Sequence, residues 1–311
     1  MAVVTSDFLA GVRTNFRALY EREFQAAQGL QGWTRLVLEQ PSDGELNTYN
    51  WFGTVPLMQN VTHGTVELAG LLPDNFSLTN QEYQAAIEVE RAAFERDRLG
   101  LITPRVQQLG GEAARHPGQL IMQHVLNNDN AFDGSSFFAD TRTIGNSANI
   151  DNQLTGTGTT VAQIQTDLGA AVAQMRVFED DQGRPMNLRG NTIMIPPELE
   201  QLMFQALNRV SGDNVNAPVI PVTDDGIWAA SGYNVMVNPY LTDPNNWYLF
   251  HVGMGAMKPF IFQVEKRPVL ESDTNPNDRN TILARTFVYS VYGRYATGMT
   301  DPRLGVLTTN T

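Results

Sequence analysis

Leu78 to Ile121 reads LTNQEYQAAIEVERAAFERDRLGLITPRVQQLGGEAARHPGQLI. Two textures meet in it. Phe76 to Arg91 reads as an extended segment, yet AAIEVERAAFERD is rich in helix formers, so Gln84 to Asp97 could instead be helical. Both readings stay open at this point. Thr103-Pro104 then gives a helix start, with threonine as cap and proline in the first turn. That helix is expected to run to about Asn128, with Leu120, Ile121, Val125 and Leu126 on its buried face. Gly110-Gly111 and Pro117 are expected to bend or interrupt it.

Upstream, Phe8, Val12, Phe16, Leu19 and Phe24 fall near helical spacing after Ser6, a plausible N-cap. From Gly29 to Asp97 helical periodicity is poor. Turn signals stand at Pro41–Gly44, His63-Gly64 and Pro73–Asn75. Between them lie further extended candidates at Asn47–Pro56 and Thr65–Leu72. Downstream, residues 127–160 read as loop, and Thr160 caps a helix over Val161–Phe178. Asp180–Gly183 is a turn. Asn191–Ile195 is a short buried strand, and Pro196-Pro197 opens a helix through about Arg209. The remainder is β-rich: Tyr233–Val237, Trp247–Val252, Pro259–Val264 and Thr286–Tyr295, where Phe287, Tyr289 and Val291 alternate with Val288, Ser290 and Tyr292. Helices and strands are segregated, which is an α+β pattern.

Bulk composition narrows the function. The chain has 311 residues, 42% hydrophobic, enough for one large or two medium domains. It has no cysteine, which excludes disulfides, thiolate catalysis and Cys-based zinc sites. No apolar run approaches the length of a membrane helix, so no membrane partner is expected. With 21 basic and 33 acidic residues the net charge is −12, which disfavours sequence-specific binding to nucleic acid. Only Lys258 and Lys266 are lysines. The excess of arginine suits a surface that makes many contacts.

No chemistry emerges from the motifs, and neither catalytic, cofactor nor metal residues are expected. His116 and His124 would be two helical turns apart, too far to share one zinc. They read as a helix-start histidine and a packed or interface histidine. Asp273–Asp278 resembles a calcium loop but has Asp278 where glycine belongs and Ala284 where a bidentate glutamate belongs. Gly253-Met254-Gly255 lacks a third glycine in register. Trp33, Trp51, Phe52, Phe137, Phe138 and Trp247 read as core or interface anchors.

Ordered motifs carry a resemblance where chemistry does not. NTYNWFGTVPLMQNVTHG (Asn47–Gly64) and the Leu78–Ile121 stretch resemble the Mu-like phage major head subunit family. The same order continues with Phe132-Asp133-Gly134, Phe137–Asp140, KPFIFQVEKRPVL (Lys258–Leu270) and Tyr292-Gly293-Arg294. The resemblance implies the tailed-phage and herpesvirus capsid fold. It divides the chain into an N-terminal arm (1–45), an extended β-hairpin loop (46–100), a peripheral domain with a spine helix (101–184), an axial domain (185–256), and peripheral return strands with the C-terminus (257–311). It implies a major capsid protein that self-assembles as pentamers and hexamers into an icosahedral shell around double-stranded DNA. Separate scaffold and protease, portal and decoration proteins would be its partners, and the virion its location, after assembly in the bacterial cytoplasm. The extended loop should lie over a neighbouring subunit, with Trp51, Phe52, Phe76, Tyr83, Arg91 and Arg96 as contact residues. Neither lysine lies in that loop, so lysine–asparagine crosslinks between subunits are not expected. The alternatives are a shell protein of an enzyme-loaded nanocompartment and a hydrolase with an unrecognised carboxylate site.

Overall fold

Ten residue pairs, from Thr286↔Glu90 to Tyr295↔Gln81, join two antiparallel strands and settle the ambiguous stretch as β structure up to Glu90; Arg91 and Ala92 are helical, and residues 93–97 lie outside the described residues. The computed structural model describes residues 6–29, 32–52, 73–92, 99–208, 227–230, 232–253, 258–275 and 279–310. In chain order its elements are α1 (Ser6–Gly29), β1 (Val37–Pro41), β2 (Leu46–Phe52), β3 (Pro73–Thr79), β4 (Gln81–Glu90), α2 (Leu99–Asn127), β5 (Gln153–Thr155), α3 (Val161–Val177), β6 (Thr192–Ile195), α4 (Glu200–Asn208), β7 (Ile227–Ala230), β8 (Tyr233–Val237), β9 (Trp247–Phe250), β10 (Phe260–Asp273), α5 (Arg279–Ala284), β11 (Thr286–Met299) and β12 (Gly305–Thr309). Over residues 84–90 the helical alternative fails, because β11 supplies backbone partners that outweigh helix propensity. The extended candidate at Thr65–Leu72 and the second half of that at Asn47–Pro56 lie outside the described residues.

The first sheet runs β1-β10-β11-β4, with β1 parallel to β10 and the other pairs antiparallel. The second runs β5-β12-β9-β6-β8-β7. A separate antiparallel ladder joins β2 to β3. Strands β6 and β9 are buried along their whole length. Period-two alternation sends Ile193, Ile195, Trp247 and Leu249 to one core, against α3 and α4. Met194, Tyr248 and Phe250 go to the opposite core, with Phe137, Phe138 and Phe260. A sheet covered on both faces has no polar face, which is why these strands read as unbroken apolar runs. The last strand, β12, pairs with β9 and β5. It therefore lies in the second sheet and not with β10 and β11.

A third core seats α1 on α2 and on the far half of β11, through Val12, Phe16, Tyr20, Val106, Leu109, Phe287 and Tyr289. Tyr20 is fully buried and missing from the expected stripe, while the side chain of Phe8 lies outside the described residues. Ser6 is the first helical residue and does not stand before the helix.

Helix α2 corrects the sequence reading twice. It begins at Leu99, so Pro104 falls inside it, and it continues without a break past Pro117 to Asn127. Two of its glycines, Gly110 and Gly118, serve close packing. A methyl group on Gly110 would lie 3.0 Å from the Tyr20 carbonyl oxygen, and one on Gly118 would lie 2.4 Å from the Trp33 ring. Gly110→Ala gains helix propensity but overpacks the seam with α1, for a net loss of about 1 kcal/mol. Faster amide hydrogen exchange confined to α1 and the first half of α2 is the expected readout.

Candidate assembly surface and buried polar centres

The face of the first sheet turned away from α1 and α2 carries charge. Arg294 pairs with Glu265 at 3.0 Å and Lys266 with Glu271 at 3.0 Å; at the sheet edge Arg267 pairs with Glu39, which lies on the opposite face with Val37. Tyr292 donates to Glu82 at 2.7 Å. Exposed pairs of this kind contribute little to folding, about 0–1 kcal/mol each. Strand β4 is an edge strand whose Tyr83, Ile87 and Val89 turn inward, while Glu82, Glu88 and Glu90 are exposed. Charges on an edge discourage indiscriminate strand pairing.

The expected contact residues separate. Trp51 and Phe52 lie in β2 opposite Asp74 and Pro73, and their side chains are outside the described residues, as is all of Arg96. Phe76 stacks on Tyr49 at 5.3 Å within the same ladder. Tyr83 is half-buried against its own chain, 4.7 Å from the Tyr295 ring and 4.6 Å from the His116 ring. Arg91 donates its backbone N–H to the Arg285 carbonyl, next to the tip of the β10–β11 hairpin. No single patch among the described residues gathers them.

His116 sits mid-helix in α2 and is not a helix-start residue. Its Nδ1 lies 2.7 Å from the Tyr295 hydroxyl. Beside it is a notch of about 170 Å³ between α2 and the sheet, lined by Tyr83, Leu109, Ala113, Pro268, Val291 and Tyr295. Burial lowers the His116 pKa below its ordinary value and raises that of Tyr295. The folded chain thus resists protonating His116 more than the unfolded chain does. Stability should fall as pH drops below about 6.5, the unfolded histidine value, until the folded value is passed. Thermal melts of His116→Gln between about pH 7 and 5 should show a shallower decline than the unsubstituted chain.

His124 bridges two groups. Its Nδ1 lies 2.6 Å from Asp129 and its Nε2 2.9 Å from the Thr297 hydroxyl. An acid–imidazole–hydroxyl row is the arrangement that activates a nucleophile. Here Thr297 is buried in β11, and the row fastens the end of α2 to that strand.

Three deeper polar centres organise the long loop after α2. Asn128 forms a two-bond bracket with the backbone of Phe138, at 2.7 and 2.8 Å. Arg142 donates to the carbonyls of Phe137 and Ser136, and its Nε lies 3.0 Å from Asp133. Burial lowers its pKa, against the opposing pull of Asp133 and Asp301. Asn152, fully buried, accepts from the Ala139 amide and donates toward the carbonyls of Phe137, Pro302 and Gly305. Close by, Arg303 forks onto Asp301 at 2.6–3.0 Å with both side chains buried. Burial alone would lower the Arg303 pKa, but Asp301, with Asp181 and Asp180, raises it. None of these was visible in sequence, where 127–160 reads as undifferentiated loop and the partners lie up to 153 positions away. The only local hint is Asp301-Pro302-Arg303, a capped turn.

Residues 9–165 and 218–308 match the family described as Mu-like prophage major head subunit gpT. The chain belongs to that family. Among curated relatives of this Mu-like head subunit, the major capsid protein of Escherichia phage Mu is 24% identical over 138 residues, 44% of each chain. The FluMu prophage major head subunit of Haemophilus influenzae is 22% identical over 300 residues, 96% of this chain and 72% of the relative. The alignment thus spans under half the length of the phage Mu protein. A subunit of the procapsid of bacteriophage JBD30 shares the fold over 99% of this chain and 77% of its own, with TM-score 0.56 and 19% identity. A virus-like particle from Pyrococcus furiosus shares it over 95% and 98%, with TM-score 0.56 and 10% identity. The Mu-like head subunit therefore has the α+β fold of tailed-phage capsid proteins. Among its described residues no helix is long and apolar enough to cross a membrane.

Proposed function

We propose that this chain is a major capsid protein that assembles as pentamers and hexamers into the closed icosahedral head around a phage genome. The family match across most of the chain carries this reading. Its role is structural. The relatives are named as capsid and head subunits, and the buried Asn152 and Arg303 side chains here are spent on internal hydrogen bonds. A shell gains cooperativity by repetition, since each copy touches many neighbours and modest contacts sum.

The parts of the chain take the roles their geometry suits. Helix α2, 29 residues long, is the spine, and the sheet β1-β10-β11-β4 with α1 forms the peripheral part around it. The second sheet with α4 is the axial part (185–256), and α3 and β12, expected in the peripheral segments 101–184 and 257–311, pack onto it. The β2–β3 ladder is the base of the extended loop that reaches a neighbouring copy. An acidic chain repels phosphate, which leaves packaged DNA free to slide. Scaffold, protease, portal and decoration proteins are separate partners in this scheme.

The P. furiosus particle has the same fold, so fold alone does not select the cargo; the Mu-like family selects a phage head. Electron microscopy of the purified chain tests the reading, and the expected result is polyhedral particles, tubes or capsomer rings. A chain that stays a monomer of 34.4 kDa even with its scaffold supplied would overturn it.

A further inference from the structure

The β10–β11 hairpin ends in an apolar knob. In α5 at its tip, Ile282 is 56% and Leu283 73% exposed, the latter the most exposed large apolar side chain among the described residues. Arg285, exposed, follows directly. The middle of the same sheet holds the apolar notch beside His116, with exposed Glu112 on its rim. At about 170 Å³ the notch is comparable to cavities of about 150 Å³ that accept a benzene-sized group. Its floor of Leu109, Ala113, Val291 and two tyrosine rings suits a branched aliphatic side chain.

Knob and notch cannot meet within one chain. The first residue of β11, Thr286, follows the knob, and Val291, Gly293 and Tyr295 of the same strand line the notch. At about 3.3 Å per residue, five to nine strand residues hold them roughly 17–30 Å apart. Both features are therefore complementary surfaces held apart along one element, the knob at the hairpin tip and the notch at mid-strand. We propose that Ile282 and Leu283 of one copy seat in the notch of a second copy, with Arg285 facing Glu112. The contact is heterologous, so it passes from copy to copy and closes into a ring or continues across a surface. Among the described residues Glu112 pairs with exposed Arg115 on its own helix, at 2.8 Å, and such a pair is easily exchanged. The proposal rests on the shell reading above and adds to it which surfaces touch.

The absence of cysteine makes disulfide trapping clean. Ala284 and Glu112 are both exposed and flank the knob and the notch without forming either core. Oxidised particles of the Ala284→Cys/Glu112→Cys double variant are expected to give a ladder of covalent multimers on a denaturing gel, while each single variant gives one band. A covalent dimer from Ala284→Cys alone would mean that hairpins meet tip to tip, and would overturn the proposal. So would normal particles of the double variant that stay a single band. Leu283→Asp should melt at the unsubstituted temperature yet raise the protein concentration needed for assembly about tenfold or more, as loss of an apolar anchor does. Assembly of Leu283→Asp at the unsubstituted concentration would also overturn it. Failure of the unsubstituted chain to form any shell, with scaffold supplied, would remove the proposed function and this contact with it.

Discussion

Asn152→Ala is expected to lower the unfolding free energy by about 2–4 kcal/mol, since it strips the side-chain partner from the buried Ala139 amide, at about 1–3 kcal/mol, and removes further hydrogen bonds of about 1 kcal/mol each. The side-chain carbonyl accepts from the Ala139 amide at 2.8 Å. Its two amide hydrogens serve three carbonyls, those of Phe137 and Pro302 at 2.8 Å and of Gly305 at 3.2 Å. The backbone of Asn152 also bonds Ala139 and Leu307. One residue thus ties the 137–139 loop to the turn before β12, so truncation loosens both. Asn152→Asp keeps the shape but turns a carboxylate oxygen toward carbonyl oxygens, and should be at least as damaging. Denaturant melts of the two variants check this. A loss below about 1 kcal/mol in both would show that water or relaxation replaces the lost bonds.

The second large effect concerns Arg303 and Asp301. Arg303→Met leaves Asp301 buried beside Asp180 and Asp181 without its partner, and removing one member of a buried pair costs about 3–5 kcal/mol. Asp301 also accepts the Arg303 backbone N–H at 2.9 Å, so Asp301→Ala loses the turn cap as well. The double variant Asp301→Leu/Arg303→Met should recover part of the loss, because it leaves no uncompensated charge. Chemical denaturation of the two single variants and the double variant forms a cycle. Losses that simply add would show that the pair is not coupled.

Local patterns were readable without tertiary information. The α3 helix and its boundary at Thr160 were visible from apolar spacing, and the Thr160 amide indeed donates to Gln163. β8 was legible to the residue, and β6, β9 and β11 nearly so, because alternation or an unbroken β-branched run is a property of consecutive residues. The spine helix was legible in outline. Its glycines and prolines were misread, because their meaning depends on what packs against them. Gly110 reads as a helix breaker until Tyr20 is placed 90 positions away across the seam. Likewise the tract from Gln84 to Glu90 stays open between helix and strand until β11 is laid beside it.

The proposed contact surface was hardly legible. Tyr83 and Phe76 were singled out as aromatics in an extended region, yet they stack on Tyr295 and Tyr49 of their own chain. The knob at Ile282-Leu283 sits in a tract that sequence reading had left between two strands. Its exposure is a tertiary outcome, since Ile282 and Leu283 join none of the three cores.

By itself, then, the sequence determined the α+β class, the family through the order of its motifs, and the elements whose residues repeat at a helical or strand period. Those signals depend on neighbours along the chain. Only the tertiary structure decided which strand borders which, that β12 closes the second sheet, where Asn152 and the Asp301–Arg303 pair are spent, and which apolar groups remain outside the core. Those outcomes depend on backbone and side-chain partners far apart in sequence, whose hydrogen bonds and burial exist only once the chain has closed on itself.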